Sequence, residues 1–172
     1  MPVGSYLLTG HDGPYAVERF EARETDDGWR YVGVRRHPTT GADLGRVELL
    51  VDPAGRVIRL ELTAGGWLLR GGVVGPEALW RRGEEERSEQ AHGFTGTSPA
   101  FAVAASRLTG SGRSLRLVAV HDAALATSVV DQAWTPVTGG WESADLATGE
   151  RGRWTIEHGV VRTGPGVTLT TA

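Results

Sequence analysis

The side chains that could do chemistry in this sequence are its histidines, acids and aromatic residues, because it contains neither cysteine nor lysine. Thiol catalysis, cysteine-based metal sites and lysine Schiff bases are therefore excluded. None of the five histidines lies three or four residues from another, so no helical pair of metal ligands exists. We expect no metal site and no cofactor.

Proton transfer is a second kind of chemistry that the sequence could support. A carboxylate beside a histidine or tyrosine can move a proton without any cofactor. A desolvated Glu18 would be a good general acid, and the residues that could share such work are Tyr15, His121 and His158. The corresponding hypothesis is a cofactor-independent cyclase or isomerase that acts on a hydrophobic metabolite. Under it, Glu18→Gln would abolish turnover and leave the fold intact.

Aromatic and arginine side chains supply a candidate binding site. Tryptophan and tyrosine offer a flat apolar body with one hydrogen-bonding group, which suits an apolar pocket, although most of the six tryptophans are expected in the core. Arginines within strands would hold an acidic or sugar-like head group if they pointed inward, and would otherwise face solvent. The candidate ligand-binding residues of this kind are Trp29, Tyr31, Arg59, Trp67 and Arg70.

Two short motifs resemble known sites but depart from them. The run Gly96-Thr97-Ser98-Pro99-Ala100 lacks the last glycine of the Gly-x-Ser-x-Gly nucleophile turn, so its serine is interpreted as a helix cap. Residues 109–114 are rich in glycine, but they lack the spacing and the lysine of a phosphate-binding loop. They are interpreted as an ordinary turn between a helix and a strand.

The elements that would position these residues are short strands. Twenty-five glycines and eight prolines divide the chain into pieces rich in β-branched, aliphatic and aromatic residues, a pattern typical of strands joined by turns. The Asp-Pro-Ala-Gly run at 52–55 predicts a hairpin. The strands are predicted at residues 15–23, 29–36, 46–51, 56–62, 66–70, 114–121, 127–135, 152–158 and 160–163. Apolar residues on both faces of 114–121 indicate a strand that is covered on both sides.

Two segments favour helices. Pro76 and the residues after it could open one helix, and the polar run 83–90 would be a solvated helix face or a loop. Ser98 and Pro99 before an alanine-rich run predict a second helix.

The hairpins at 45–59 and 152–162 are similar in length and character, which indicates a weak internal repeat. We therefore predict a single domain over residues 1–172. Its fold class is mainly β, a mostly antiparallel β-roll or half-barrel built from two similar halves, with one or two short helices. The first repeat would span about 5–75, a helical or polar joint 76–97, and the second repeat about 98–170.

The run Gly93-Phe94-Thr95-Gly96-Thr97-Ser98-Pro99, followed by Ser106-Arg107-Leu108, stands out near the middle of the chain. It resembles the central motif of the glycolipid-binding protein family, which reads Thr-Pro-Phe-Thr-Asn-Thr-Leu-Pro and then Arg-Leu. Stretches at 51–57, 69–80, 131–135 and 158–166 are similar to further parts of the family pattern, in the same order. The likeness covers roughly residues 15–166. Gly96 stands in place of the family's asparagine, and Ser98 in place of its leucine.

This resemblance implies a β-rich spiral roll made of two similar halves, and a lipid or glycolipid ligand. It adds four residues from the matching stretches to the candidate ligand-binding set: Thr95, Thr97, Gln132 and Trp134.

The composition narrows the class of partner. With 40% hydrophobic residues, 23% charged residues and a net charge of −3, the chain is typical of a globular domain and lacks the basic excess of a nucleic-acid binder. No signal pattern and no apolar run of membrane-spanning length is present, so we expect a cytoplasmic protein with no integral membrane segment. We expect a monomer or a homodimer.

Three hypotheses follow. The first is a non-enzymatic binder that holds a hydrophobic or amphiphilic small molecule, lipid or glycolipid-like, in an apolar cavity of the roll. The second is the cofactor-independent enzyme described above. The third is a structural or interaction protein whose interior is filled by its own side chains.

Overall fold

In the computed structural model, which describes residues 1–110, 112–121 and 124–171, the chain forms fifteen strands and a helix. The strands of the first part are β1 (Val3–Gly10), β2 (Gly13–Thr25), β3 (Gly28–Arg36), β4 (Asp43–Val51), β5 (Val57–Ala64), β6 (Trp67–Val74), β7 (Glu77–Arg82) and β8 (Glu85–Gln90). The second part consists of β9 (Gly93–Thr95), the helix α1 (Pro99–Thr109), β10 (Arg113–His121), β11 (Ala126–Val137), β12 (Gly140–Asp145), β13 (Arg151–Glu157), β14 (Val160–Gly164) and β15 (Val167–Thr171).

All fifteen strands belong to one sheet, in the order β8-β7-β6-β5-β4-β3-β2-β1-β15-β14-β13-β12-β11-β10-β9. Neighbouring strands are antiparallel except β9 and β10, which are parallel. The chain thus runs as two meanders that meet where β1 pairs with β15. The sheet is not closed into a barrel, which confirms the mainly β roll or half-barrel class.

Every strand predicted from the sequence is present, with ends moved by a few residues. The predicted hairpin joins β4 to β5, and its turn is closed by the Gly55 N–H donating to the Asp52 carbonyl at 2.9 Å. The strands that the sequence analysis missed are β1, β7, β8, β9, β12 and β15. They are short, lie next to a turn, or carry few β-branched residues, so their local signal is weak.

The helix predicted to open at Pro76 is wrong. Residues 77–82 form β7, in which Ala78 and Trp80 are buried and alternate with exposed neighbours, the period of two that a strand requires. The polar run continues as β8, an outermost strand whose side chains are almost all exposed. Charged residues are common on such edge strands because they discourage pairing with another chain.

The second predicted helix is confirmed as α1. Ser98 is its N-cap, with its Oγ accepting the Ala100 N–H at 3.4 Å, and Pro99 lies in the first turn. α1 packs on β14 and on β9, β10 and β11. It ends at Thr109 before the predicted turn into β10; Ser111, within that turn, lies outside the described residues.

No helix in the described part of the chain is long and apolar enough to cross a membrane.

Residues Leu117 to Val120 of β10 are all buried, as expected for a strand covered on both sides. The tryptophans follow the core expectation in part. Trp29, Trp80 and Trp134 are buried, Trp141 and Trp154 are half-buried, and Trp67 is exposed.

Candidate functional site

A buried polar network surrounds the carboxylate of Glu18, whose side chain has no exposed surface. Its Oε1 accepts hydrogen bonds from the Tyr31 hydroxyl and, at 2.7 Å, from Ser98 Oγ. Its Oε2 accepts the Arg35 Nε–H at 2.7 Å. Among the described residues, no buried side-chain nitrogen or oxygen lacks a hydrogen-bond partner. The network therefore satisfies the buried carboxylate of Glu18, since a buried charge is stable only when it is paired and hydrogen-bonded.

Three separate elements bring these groups together. Glu18 lies on β2, opposite Arg35 on the paired strand β3, and Tyr31 lies further along β3. Ser98 is the N-cap residue of α1 and lies about eighty residues after Glu18 in the chain. Gly33 of β3 leaves room for the carboxylate, since a Cβ there would lie 2.8 Å from Glu18 Oε1. The network thus fixes the start of α1 to β2 and β3 of the first meander.

Tyr31 is held in its neutral, donating form. Its burial, followed by the negative charge of Glu18 and their hydrogen bond, raises the pKa of Tyr31 well above the ordinary value of 10.0. Burial likewise raises the pKa of Tyr6, whose hydroxyl accepts the Val161 N–H at 3.1 Å.

The raised pKa of Tyr31 predicts that the folded protein loses stability at alkaline pH. Unfolding frees Tyr31 to lose its proton near pH 10, while the folded state holds the proton, so stability is full below pH 10 and falls as the pH rises above it. Raising the pH from 8 to 11 lowers the free energy of unfolding of both proteins. We expect this decrease to be about 1.4 kcal/mol smaller in Tyr31→Phe than in the unmodified protein. Urea titrations at both pH values measure this, with the exposed Tyr15→Phe as control. Equal losses in the unmodified protein and Tyr31→Phe would contradict the assignment.

The network lies at the side of a buried aromatic row. Tyr6, Phe20, Tyr31 and Trp29 follow one another with ring centroids 4.5, 5.6 and 5.5 Å apart. A small cavity of about 20 Å³ is lined in part by Arg35, which belongs to the network, and by Gly96, Thr97 and Phe101. That volume holds about one water molecule.

The other predicted catalytic residues are exposed, in contrast to Glu18. Tyr15 lies near the start of β2, and His121 is at the end of β10, where its Nε2 lies 2.9 Å from Ser128 Oγ. His158 occupies the turn between β13 and β14 with a φ of 51°. No group of three or more His, Asp or Glu side chains in the described structure is placed to hold a metal ion.

The predicted ligand-binding residues divide between core and surface. Trp29 and Tyr31 are each only 1% exposed. Arg59 and Arg70 are exposed, and Arg70 pairs with Glu61 at 2.9 Å. Trp67 is also exposed, with the Arg82 guanidinium 3.8 Å from its ring centroid.

The residues added by the family resemblance lie in the second half of the fold. Thr95 is half-buried in β9, and Thr97 is exposed beside the small cavity. Trp134 is buried, stacks on Trp154, and donates its Nε1–H to Gln132 Oε1 at 3.0 Å. The structure therefore joins Tyr31 to Glu18, with Trp29 packed against Tyr31, and it joins Gln132 to Trp134.

A larger cleft of about 420 Å³ lies where the two meanders meet α1. β9 pairs with residues 117–119 of β10, and the connection from β8 to β9 passes beside the earlier residues of β10. The His92 N–H donates to the Arg116 carbonyl at 2.8 Å, and the Ala91 N–H to the Pro76 carbonyl at 3.3 Å. These bonds hold the wall of the cleft in place.

The lining of this cleft has an apolar part and a cationic part. The apolar residues are Val73, Pro76, Ala91 and Leu108. The basic residues are Arg56, His92, Arg113 and Arg116, with Gln90 beside them. None of the described residues that line the cleft is acidic.

Sequence reasoning did not select any of these cleft residues. The glycine-rich run 109–114 contains Arg113 and is interpreted from the sequence as a turn, and the stretches that resemble the glycolipid-binding family contain Arg56, Val73, Pro76 and Leu108 without pointing to any of them. The cleft residues come from distant parts of the chain, and only the curvature of the sheet brings them together. They lie in the β4–β5 turn, β6, the β6–β7 turn, β8, the β8–β9 connection, α1 and β10.

Comparisons with known proteins support the fold. No protein-family model matches the chain, and no curated protein matches it significantly. Among solved structures, the chain is similar to a DUF1089 family protein from Pseudomonas aeruginosa, with a TM-score of 0.58 and 16% sequence identity over 86% of this chain and 88% of the other. At this identity the likeness shows a shared β-rich fold and nothing about the ligand.

Proposed function

We propose that the protein binds a hydrophobic or amphiphilic small molecule, lipid or glycolipid-like, in the cleft between the two meanders and α1. The observation that carries this proposal is the apolar wall of Val73, Pro76, Ala91 and Leu108 in a concave site of about 420 Å³. Sites for small molecules commonly have volumes of about 300–1,000 Å³ and a mostly apolar lining with a few polar groups. Burial of an alkyl chain against this wall stabilises the complex by about 25 cal/mol per Å² of apolar surface.

The cleft is a better candidate than the aromatic row. Trp29 and Tyr31 are stacked on each other and are 1% exposed, so a ligand would have to displace packed core side chains to reach them. The cleft is open and needs no such rearrangement.

Binding is also a better proposal than acid–base catalysis. A general acid must come within hydrogen-bond reach of the substrate. Glu18 has no exposed surface, and its oxygens are occupied by Tyr31, Ser98 and Arg35.

The test is to fill the cleft without disturbing the core. Gln90 lines the cleft and is exposed at the end of the edge strand β8. Tryptophan is well tolerated in strands, so Gln90→Trp should place its ring in the cleft without disturbing the sheet. Isothermal titration calorimetry with decyl glucoside, a neutral amphiphile used below its micelle concentration, is expected to show binding that Gln90→Trp weakens about tenfold or more, a loss of about 1.4 kcal/mol.

The matched control is Ser88→Trp. Ser88 is exposed on the same edge strand, two residues away on the same face, and does not line the cleft. It should bind decyl glucoside as the unmodified protein does. If the unmodified protein does not bind the amphiphile, or if both variants bind it equally, the cleft is not the site.

A further inference from the structure

The polar half of the cleft is dominated by basic side chains, with Gln90 beside them. Three arginines and a histidine face it, and no described acidic residue belongs to its lining. A neutral ligand would need no such excess of positive charge. A concave site with cations of one sign concentrates anionic ligands.

The three arginines of the cleft differ in whether they already form ion pairs with acidic side chains. Arg56 pairs with Asp52 through Nε at 2.9 Å. Arg116 reaches Glu89 and Asp131, each at 3.4 Å, which are long contacts on an exposed surface. Arg56 and Arg116 are therefore partly neutralised by acids outside the cleft.

Arg113 is different. It is exposed at the start of β10, and its side chain makes no hydrogen bond or ion pair with any residue in the described ranges. It lies next to the glycine-rich end of α1, and Leu108 from the last turn of α1 lines the same cleft. Arg113 thus presents an uncommitted guanidinium beside the apolar wall. Such a group binds carboxylate or phosphate through two parallel hydrogen bonds.

His92 adds a donor with a fixed orientation. Its Nδ1 accepts the backbone N–H of Arg116 at 2.9 Å. A ring nitrogen that accepts a hydrogen bond carries no proton, so the hydrogen of the neutral ring resides on Nε2. The imidazole lines the cleft and presents this N–H donor without needing to be charged.

From this arrangement we infer that the ligand of the cleft carries an oxyanion head group, a phosphate or a carboxylate, which Arg113 binds with help from His92. The inference rests on the proposed function, since the apolar wall would hold the attached chain. It also assigns a role to Arg113 in the glycine-rich segment that sequence reasoning treated only as a turn.

The experiment compares four probes on the unmodified protein by calorimetry: decyl phosphate, decanoate, decyl glucoside and inorganic phosphate. Decyl phosphate or decanoate is expected to bind about tenfold more tightly than decyl glucoside, because charge-assisted hydrogen bonds to arginine are stronger than neutral ones. The tighter of the two identifies the head group. If inorganic phosphate binds as tightly as decyl phosphate, the chain contributes nothing and the anionic-amphiphile inference is overturned.

The variant is Arg113→Gln, with Arg19→Gln as the matched control. Both arginines are exposed, both lack a side-chain partner among the described residues, and both changes remove one positive charge. Arg113→Gln is expected to weaken the binding of the anionic amphiphile about tenfold and that of decyl glucoside clearly less, because only the anion loses a charge-assisted bond, while Arg19→Gln changes neither. Equal behaviour of the two variants would overturn the inference even where decyl glucoside binds. A failure of the proposed function would give a different result, because Gln90→Trp would then not change the binding of any amphiphile.

Discussion

Replacing Glu18 with glutamine is expected to lower the free energy of unfolding by about 3–5 kcal/mol, the cost of breaking a buried ion pair by changing one partner. Glu18 accepts hydrogen bonds on both oxygens, from Tyr31 and Ser98 on one and from Arg35 on the other. A glutamine amide carries no charge, so the largely buried Arg35 guanidinium loses the negative charge of Glu18 in either orientation of the amide. The NH₂ must in addition either face the Arg35 Nε–H or make the Tyr31 and Ser98 hydroxyls turn and accept. Urea unfolding monitored by tryptophan fluorescence measures the loss.

The matched control is Glu61→Gln. Glu61 also pairs with an arginine Nε, that of Arg70 at 2.9 Å, but this pair is largely exposed. Exposed pairs contribute about 0–1 kcal/mol, so the control should stay close to the unmodified protein. A loss for Glu18→Gln no larger than that of the control would mean that the network does not stabilise the fold.

This expectation differs from that of the enzyme hypothesis. There, Glu18→Gln was expected to abolish turnover and leave the fold intact. The structure places Glu18 among groups that fix α1 to β2 and β3, so the fold itself should respond. Tyr31→Phe removes one donor from the same network and is expected to cost about 1–2 kcal/mol at neutral pH, within the range for a lost buried hydrogen bond.

The second large effect is expected for Gly45→Ala. Gly45 lies on β4 with a φ of +125°, and a Cβ there would be 1.9 Å from the Thr63 carbonyl oxygen of β5. The strained backbone costs roughly 1–3 kcal/mol, and the overlap with a neighbouring backbone adds a cost of about the same size. Because both strands are held in the sheet, the overlap has no flexible side chain to absorb it. We expect a loss of about 3 kcal/mol or more in urea unfolding.

Gly41→Ala separates the two causes. Gly41 lies in the turn before β4 with a φ of +69°, and nothing lies within 4 Å of its added Cβ. It should therefore show the backbone cost alone, and its loss should be clearly smaller than that of Gly45→Ala. Equal losses would show that the contact with Thr63 relaxes, and that the close pairing of β4 with β5 is not what requires a glycine.

The strands that the sequence predicted have a strong local signal. Runs of β-branched and aromatic residues between glycines carry it, and the Asp-Pro-Ala-Gly turn at 52–55 closes a hairpin through bonds among its own residues. The cap at Ser98 is equally local, since its partner Ala100 is two residues away. Such features depend on near neighbours alone, and they survived in the tertiary structure.

The error at Pro76 shows the limit of local reasoning. A proline followed by Ala78, Leu79 and Trp80 fits the start of a helix as well as a strand. Residues 77–82 form a strand because they pair with β6, an arrangement in which Ala78 and Trp80 are buried on one face. A partner strand is a non-local feature, and the sequence of the segment does not contain it.

Composition and spacing thus determined the β-rich class, most strands, the capped helix and the exclusion of cysteine and lysine chemistry, because each depends on residue type or on near neighbours. The inward direction of Glu18, its meeting with Ser98 and the convergence of His92 with Arg113 on one cleft were decided by the tertiary structure. The physical reason is the curvature of the open sheet. It brings residues far apart in the chain within reach of one another. It also buries one face of most strands, while β10 is covered on both sides and β8 stays exposed.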